Sequence, residues 1–141
     1  MDLSPYIRFK DPELEEQWKS GRLHPGLVVM VLAAARWHYL RTGKPAVITS
    51  LFRPDDKSVH GDWRGSDLRT WELDKDGQQE WEDYCNAAFP YDYSTKEGAK
   101  TALVHELRGE DGKSKGRHLH LQTGPLEPKP PKPKTFIIKE S

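Results

Sequence analysis

The segment from Pro25 to Leu40 places the strongest limit on how this chain of 141 residues can fold. Its sequence, PGLVVMVLAAARWHYL, has apolar residues on nearly every face of a helix, and Gly43, a favoured residue for ending a helix, follows closely. A helix that is apolar all round is buried, so we expect this one at the centre of the molecule. Its longest apolar stretch, from Leu27 to Ala35, is far too short to cross a bilayer, and we expect no membrane insertion.

The remaining elements predict an α+β fold. Residues 53 to 74 are rich in Gly, Asp, Ser and Arg, which predicts an irregular loop on the surface. The last two predicted strands form an antiparallel hairpin, so we expect a small antiparallel sheet with the long helix packed behind it. The other predicted elements are helices over residues 11 to 19 and 77 to 88 and strands over residues 46 to 52, 101 to 107 and 117 to 123.

Length and composition predict one domain over residues 1 to 126, followed by an extended, Pro- and Lys-rich tail over residues 127 to 141. Lys plus Arg and Asp plus Glu each total 22, so the formal net charge is zero and carries no electrostatic footprint for nucleic acid. The first 19 residues are acidic and polar, without the basic start and apolar run of a secretory signal, so we expect no export by that route.

The single cysteine limits the chemistry of any metal site. One thiol can form neither an internal disulfide nor a zinc site built on several thiolates, so a metal must use histidine and carboxylate ligands. Cys85 itself lies at helical spacing from Trp81, which predicts a small buried residue and not a nucleophile.

Two histidines share one face of the last predicted strand. Residues two apart on a strand point the same way, so His118 and His120 face one side while Leu119 and Leu121 face the core. A lone histidine in this place is most simply a solvated residue on the outer face of a sheet. The pair, alternating with leucines, favours a functional site.

His60 and Asp67 form a second candidate cluster. Six residues separate them, which is enough chain to bring a ring nitrogen and a carboxylate to one cation. A catalytic zinc commonly takes three protein ligands with N or O atoms and keeps a fourth position for water, and these two residues with one histidine of the pair supply such a set. The alternative is a glycine-rich turn in which Asp67 caps a helix and His60 is solvated.

Four segments, in this order, resemble the zinc peptidases of the D-alanyl-D-alanine carboxypeptidase, murein endopeptidase and hedgehog group, and most of all the small phage peptidoglycan peptidases of the M15 kind. The family's first motif usually reads SxHxxGxAxD; Ser58, His60 and Asp67 fit it, whereas Trp63 stands at the glycine position and Gly65 at the alanine position. The matching segments are ITSLFRP (48 to 54), SVHGDWRGSD (58 to 67), TALVHEL (101 to 107) and GRHLHLQTG (116 to 124).

The resemblance implies zinc ligation by His60, Asp67 and His120. Carboxypeptidase members place a glutamate three residues before the last ligand as the general base, but here that position is Arg117. The departure favours the endopeptidase pattern, in which His118 takes over the role of base.

Two further residues receive roles from the same resemblance. His105 is similar to a second active-site histidine of the group and would stabilise the tetrahedral intermediate. Arg53 follows the strand at the position of an arginine that faces the substrate, where its charge would stabilise the oxyanion. The alternative for Arg53 is a surface salt bridge to Asp55 or Asp56.

The activity implied by the resemblance is zinc-dependent hydrolysis of an amide in the peptide stems of bacterial peptidoglycan. A phage endolysin, monomeric and held in the host cytoplasm until it is released onto the wall, fits this expectation. One alternative is an inactive zinc-binding module of the same fold, serving as a binding or phage structural protein. A phosphoesterase using paired histidines is a weaker alternative, because the chain has one HxH motif and no second copy.

Overall fold

Three helices and five strands make up the fold of this chain, for which a computed structural model describes residues 5–55, 59–90, 100–108 and 114–124. The strands form one mixed sheet in the order β1-β2-β3-β5-β4, so the predicted α+β class is confirmed. The helices are α1 (Pro12–Lys19), α2 (Pro25–Thr42) and α3 (Lys75–Ala88), and the strands are β1 (Ile7–Phe9), β2 (Ala46–Ser50), β3 (Gly65–Arg69), β4 (Ala102–Arg108) and β5 (Ser114–Gln122).

Helix α2 is the buried central helix that the sequence predicts. It begins on Pro25, and Gly43 ends it with a φ of 71° while its backbone N–H bonds the carbonyl of Tyr39. A left-handed residue is most easily supplied by glycine, which explains why the helix stops there. Leu27 and Val31 on its inner face are fully buried, and the helix contacts β2, β3 and β5.

The expectation of an antiparallel sheet is wrong in one part, because β1 pairs with β2 in parallel. Two helices, α1 and α2, lie between these strands in the chain, and such a crossover returns the chain in the direction in which it left. Three residues are too short a run to predict a strand from pattern alone. The other strand pairs, β2 with β3, β3 with β5 and β4 with β5, are all antiparallel.

The expectation of a loop over residues 53 to 74 is also wrong in one part, because Gly65–Arg69 form the central strand of the sheet. Strand β3 has the sequence GSDLR, which has little intrinsic preference for a strand. It is a strand because β2 and β5 lie on either side and pair with its backbone. Asp67 therefore lies in mid-sheet, paired on both sides, instead of on a loop.

The core lies between one face of this sheet and helices α2 and α3. Leu68, Leu119 and Leu121 contribute from the sheet and are fully buried. From α3, Trp81 is fully buried, and its indole N–H donates to the carbonyl of Ala34 at 3.0 Å. Helix and sheet therefore meet in one apolar layer, which leaves the opposite face of the sheet for polar residues.

Helix α3 also protects the outer edge of the sheet. The side chain of Asn86 pairs with both the N–H and the carbonyl of Ala102 in β4, each at 2.9 Å. Glu82, a buried residue of the same helix, accepts the N–H of Val104 at 2.8 Å. These contacts satisfy backbone groups that an exposed edge strand would leave open for another chain to pair with.

Within the described ranges, no helix combines the length and apolar character that crossing a membrane requires. The predicted tail, residues 127 to 141, lies outside the described residues.

Candidate metal centre

Alternation along three neighbouring strands brings the candidate residues to one face of the sheet. In the register of β3 and β5, Asp67 lies opposite His120 and Arg69 lies opposite His118. In the register of β4 and β5, His105 lies opposite His118. Directly opposed residues share a face, so all five side chains emerge on the side away from the core.

His60 joins this face from the short 3₁₀ turn Val59–Asp62, which precedes β3. Its Nε2 lies 3.4 Å from Oδ2 of Asp67, and Nδ1 of His120 lies 2.9 Å from Oδ1 of the same carboxylate. One ligand atom from each of the three residues lies within 4.8 Å of the other two. The structure thus brings together the three residues that the sequence analysis predicts as metal ligands.

Backbone and amide partners fix which ring nitrogen of each histidine faces the carboxylate. Nδ1 of His60 lies 2.7 Å from the carbonyl oxygen of Leu51, which can only accept, so Nδ1 carries the proton. Nε2 of His120 lies 3.1 Å from Oε1 of Gln122, and the amide of Gln122 is oriented because its Nε2 donates to the carbonyl of Lys100 at 2.8 Å. In the neutral form of each ring, this leaves the lone pairs of His60 Nε2 and His120 Nδ1 directed at Asp67.

This arrangement fits a divalent metal ion. Two imidazole lone pairs and a carboxylate repel one another at these distances unless a cation, either a metal or added protons, lies between them. Three N and O ligands are the usual protein set of a catalytic zinc site. Histidines that bind a metal almost always donate their second ring N–H to a carbonyl or carboxylate, as His60 and His120 do here. We therefore regard His60, Asp67 and His120 as a candidate metal site.

The electrostatics of Asp67 also suit a cation site. Burial on its own would raise the pKa of this carboxyl, but His120 and His60 outweigh burial when their facing nitrogens carry protons, and they then hold the pKa well below its ordinary value. Arg53 adds a further positive charge, because its guanidinium donates to Oδ2 of Asp67 at 3.0 Å and to Oγ of Ser50 at 2.9 Å. The carboxylate is therefore ionised at any pH at which the protein is expected to work.

Arg53 lies at the site, where its described salt bridge joins Asp67. The sequence offered surface pairs with Asp55 or Asp56 as an alternative, of which Asp56 lies outside the described residues. The side chain remains 45% exposed, so its outer edge is accessible to a ligand that approaches the face.

The close approach of His60 depends on Gly65 at the start of β3. A Cβ on Gly65 would lie 2.6 Å from Cγ2 of Val59, 3.3 Å from the backbone nitrogen of His60 and 3.4 Å from its ring carbon Cε1. A side chain fits there only if the Val59 side chain or the 3₁₀ turn moves away from the strand. The glycine that is shifted relative to the family motif thus has a steric role of its own.

Trp63, which stands where the motif SxHxxGxAxD has glycine, adopts a backbone conformation that glycine adopts most easily. Its φ of 59° is left-handed, a region that costs a residue with a side chain about 1 to 2 kcal/mol. Its indole stacks on Phe52 with 4.3 Å between ring centroids, and the guanidinium of Arg22 lies 4.5 Å from the ring. We infer that these contacts offset the backbone cost and hold the turn that carries His60.

His118 is held by Thr49 of β2. The threonine Oγ1 lies 3.3 Å from the carbonyl oxygen of Asp67 and 3.3 Å from Nδ1 of His118. A hydroxyl that donates to the carbonyl can accept from Nδ1–H, which places the basic lone pair of His118 on Nε2. Burial lowers the pKa of His118, and the nearby Asp67 opposes this shift.

His105 completes the polar face. Its ring centroid lies 5.9 Å from that of His120 in an edge-on arrangement. Burial lowers the pKa of His105 as well, while the charge of Asp67 raises it. Both histidines beside the candidate metal ligands are thus neutral near pH 7.

The two remaining histidines lie away from the cluster and have structural contacts of their own. Nδ1 of His24 accepts the N–H of Gly26 at the start of α2. His38 is buried, and its Nδ1 lies 3.0 Å from the carbonyl of Lys44.

Cys85 is buried too, and burial raises the pKa of its thiol to about 12, which agrees with the prediction that it is not a nucleophile.

Three supporting groups escaped the sequence reasoning. They are Gln122, Thr49 and the carbonyl of Leu51, each of which orients one histidine. Only Gln122 left a signal in the sequence, because it continues the alternation of His118 and His120 on the same face of the strand.

Comparisons of the chain with protein-family models, with curated proteins and with solved structures found no match.

Proposed function

We propose that this protein is a zinc-dependent peptidase that hydrolyses an amide bond in the peptide stems of bacterial peptidoglycan. The observation that carries the proposal is the pair of oriented histidines, His60 and His120, whose lone pairs meet on a buried carboxylate. Further support comes from the resemblance of four chain segments to peptidases of the M15 kind. The finer fold assignment, a sheet like that of hedgehog domains and D-alanyl-D-alanine peptidases, belongs to the same proposal.

The residues around the candidate metal site suit amide hydrolysis. Zinc held by His60, Asp67 and His120 would polarise the scissile carbonyl and make water a stronger nucleophile near neutral pH. His118, with its basic nitrogen directed away from Thr49, would accept a proton from the attacking water and return it to the nitrogen of the leaving amine.

Two residues would stabilise the negative charge that develops on the carbonyl oxygen. His105 shares the face with His118 and lies directly opposite it in the sheet. Arg53 is fixed by Asp67 and Ser50 and keeps part of its guanidinium exposed. Donors that are held in place before reaction lower the barrier because they need no reorganisation as the charge forms.

The biological setting that we propose is that of a phage endolysin. A monomer of this kind would wait in the host cytoplasm and act on the cell wall after release. This part of the proposal rests on the resemblance alone.

The test is digestion of purified peptidoglycan by wild type and by His118→Ala, with muropeptides identified by mass spectrometry and zinc measured in both proteins. We expect new amines from wild type, and at least a hundredfold loss in His118→Ala, a loss typical of removing a general base. Equal cleavage by the two proteins would remove His118 from the mechanism. A wild type that binds one zinc and releases no amine would support the alternative of an inactive zinc-binding module.

A further inference from the structure

Arg69 ends β3 on the same face as the candidate metal ligands. It lies directly opposite His118 in β5 and follows Asp67 by two residues. Two residues of a strand span about 7 Å, so the guanidinium lies within reach of any ligand that covers both His118 and the metal site. A peptide held with its reacting amide at Asp67 and His120 would therefore pass near Arg69.

The guanidinium of Arg69 is held in place by an aromatic ring. Its central carbon lies 3.8 Å from the ring centroid of Trp71, and Trp71 is 71% exposed. An exposed tryptophan that supports an arginine fixes the cation at the surface while leaving its N–H groups available.

Among the residues that the structure describes, Arg69 makes no ion pair with a carboxylate. Two other arginines, Arg53 at the candidate site and Arg41 on helix α2, do pair with a carboxylate. Arg53 binds Asp67, and Arg41, which lies over Trp37 in the same manner, binds Glu80 at 2.6 Å. Arg69 thus presents a positive charge beside His118 that no described side chain neutralises.

We propose that Arg69, held over Trp71, binds a carboxylate of the substrate on the His118 side of the metal ligands. A guanidinium matches a carboxylate with two parallel N–H···O bonds, and pre-ordering by the tryptophan reduces the entropy lost on binding. At about 3.5 Å per extended residue, the carboxylate lies one or two residues from the scissile bond. This inference rests on the proposed peptidase function and names the substrate feature that the site selects.

The experiment compares synthetic stem peptides that carry all their carboxylates with peptides in which one carboxylate at a time is amidated. Calorimetry measures their binding to the full-length, zinc-loaded protein, within the time in which mass spectrometry detects no cleaved peptide. The variants are Arg69→Gln, Arg69→Lys and the control Arg41→Gln, which also removes an arginine from a tryptophan ring but on helix α2. Circular dichroism checks that each variant is folded.

Amidation of one particular carboxylate is expected to weaken binding to wild type and to Arg41→Gln by about tenfold. Arg69→Gln is expected to bind the amidated peptide and its unmodified counterpart with equal affinity. In Arg69→Lys part of the preference is expected to return, because lysine keeps the positive charge but lacks the planar guanidinium that binds a carboxylate with two N–H groups. The inference is overturned if wild type binds no peptide, if it binds all of them equally, or if Arg69→Gln keeps the preference.

Cleavage separates this inference from the proposed function. Selective binding through Arg69 without cleavage would leave the inference standing and count against a peptidase. Cleavage with no preference for a carboxylate would support a peptidase and overturn the role of Arg69.

Discussion

The side-chain amide of Gln122 orients His120, and this amide is itself held by the segment that precedes β4. Its Nε2 donates to the carbonyl of Lys100, so its Oε1 has to be the atom that meets Nε2 of His120. The lone pair on Nδ1 of His120 is directed at Asp67 as a result. At the scale of single residues, the candidate metal site therefore depends on a side chain that is not one of its three candidate ligands.

We predict that Gln122→Ala lowers zinc affinity by about tenfold to a hundredfold, as is usual when a partner of a metal-binding histidine is lost. Competition with a coloured chelator measures the dissociation constant. Gln79→Ala, which removes an exposed glutamine from α3, is the matched control and is expected to bind as wild type does. An unchanged affinity in Gln122→Ala would mean that His120 needs no such support.

Trp63 provides a second test at this scale, because it is a bulky residue in a left-handed conformation. We predict that Trp63→Ala and Trp63→Gly both lose the stacking on Phe52, but that the glycine variant is the more stable by about 1 kcal/mol. At ordinary positions glycine is the less stable of the two, since it loses more backbone entropy on folding. Urea unfolding of both variants gives the order, and an alanine variant that is the more stable would show that the turn is not strained.

At the scale of elements, the contact between the 3₁₀ turn and β3 sets the position of His60. Gly65→Ala would place a Cβ 2.6 Å from Cγ2 of Val59, so the Val59 side chain or one of the two elements has to shift. Overpacking of this kind typically costs about 1 to 3 kcal/mol. We predict a loss of stability of that size together with weaker zinc binding, measured by chemical unfolding and by chelator competition.

The double variant Val59→Ala, Gly65→Ala is the control for this prediction. Removal of the valine methyls eliminates the shortest contact, so the double variant is expected to bind zinc more tightly than Gly65→Ala alone. If the second substitution restores nothing, the turn and the strand are not coupled through this contact.

Sequence alone predicts those elements whose cause is local. Helix α2 was predictable because its apolar run and the glycine after it are adjacent in the chain. Strand β3 was not, because its sequence of glycine, serine and aspartate becomes a strand only between two partners that are distant in the chain. Strand β1 escaped for a related reason, since three residues carry too little pattern.

The candidate site divides in the same way. The facing of His118 and His120 follows from alternation within one strand, so the sequence predicts it. The roles of Thr49 and Gln122 as partners of these rings depend on other strands and the segment before β4, which only the folded arrangement reveals.

At the scale of the whole molecule, the buried His38 links stability to pH. Burial lowers its pKa, while its bond to the carbonyl of Lys44 opposes the shift. In the unfolded chain a histidine has a pKa of about 6.5, so below that pH the unfolded state binds a proton that the folded state resists. Protonation of His38 therefore destabilises the fold as pH falls through and below 6.5.

We predict that the difference in unfolding free energy between wild type and His38→Gln becomes smaller, or changes sign, as pH is lowered from about 7.5 to about 5, a range that spans the ordinary histidine pKa. Both proteins are unfolded in urea with a chelator present, so that metal binding does not contribute to the difference between them. A difference that is constant across this range would show that His38 does not titrate on unfolding.

The measurement that tests the central claim most directly is the zinc content of the purified protein and of three variants. Mass spectrometry of the metal after dialysis gives the number of ions bound per chain. We predict one zinc in wild type and in His118→Ala, and little or none in Asp67→Ala and His120→Ala. The latter two substitutions would remove proposed ligands, whereas the role that we propose for His118 is to accept a proton from water. A wild type that holds no zinc, or a His118→Ala variant that loses it as completely as His120→Ala does, would contradict the assignment of His60, Asp67 and His120 as the metal site.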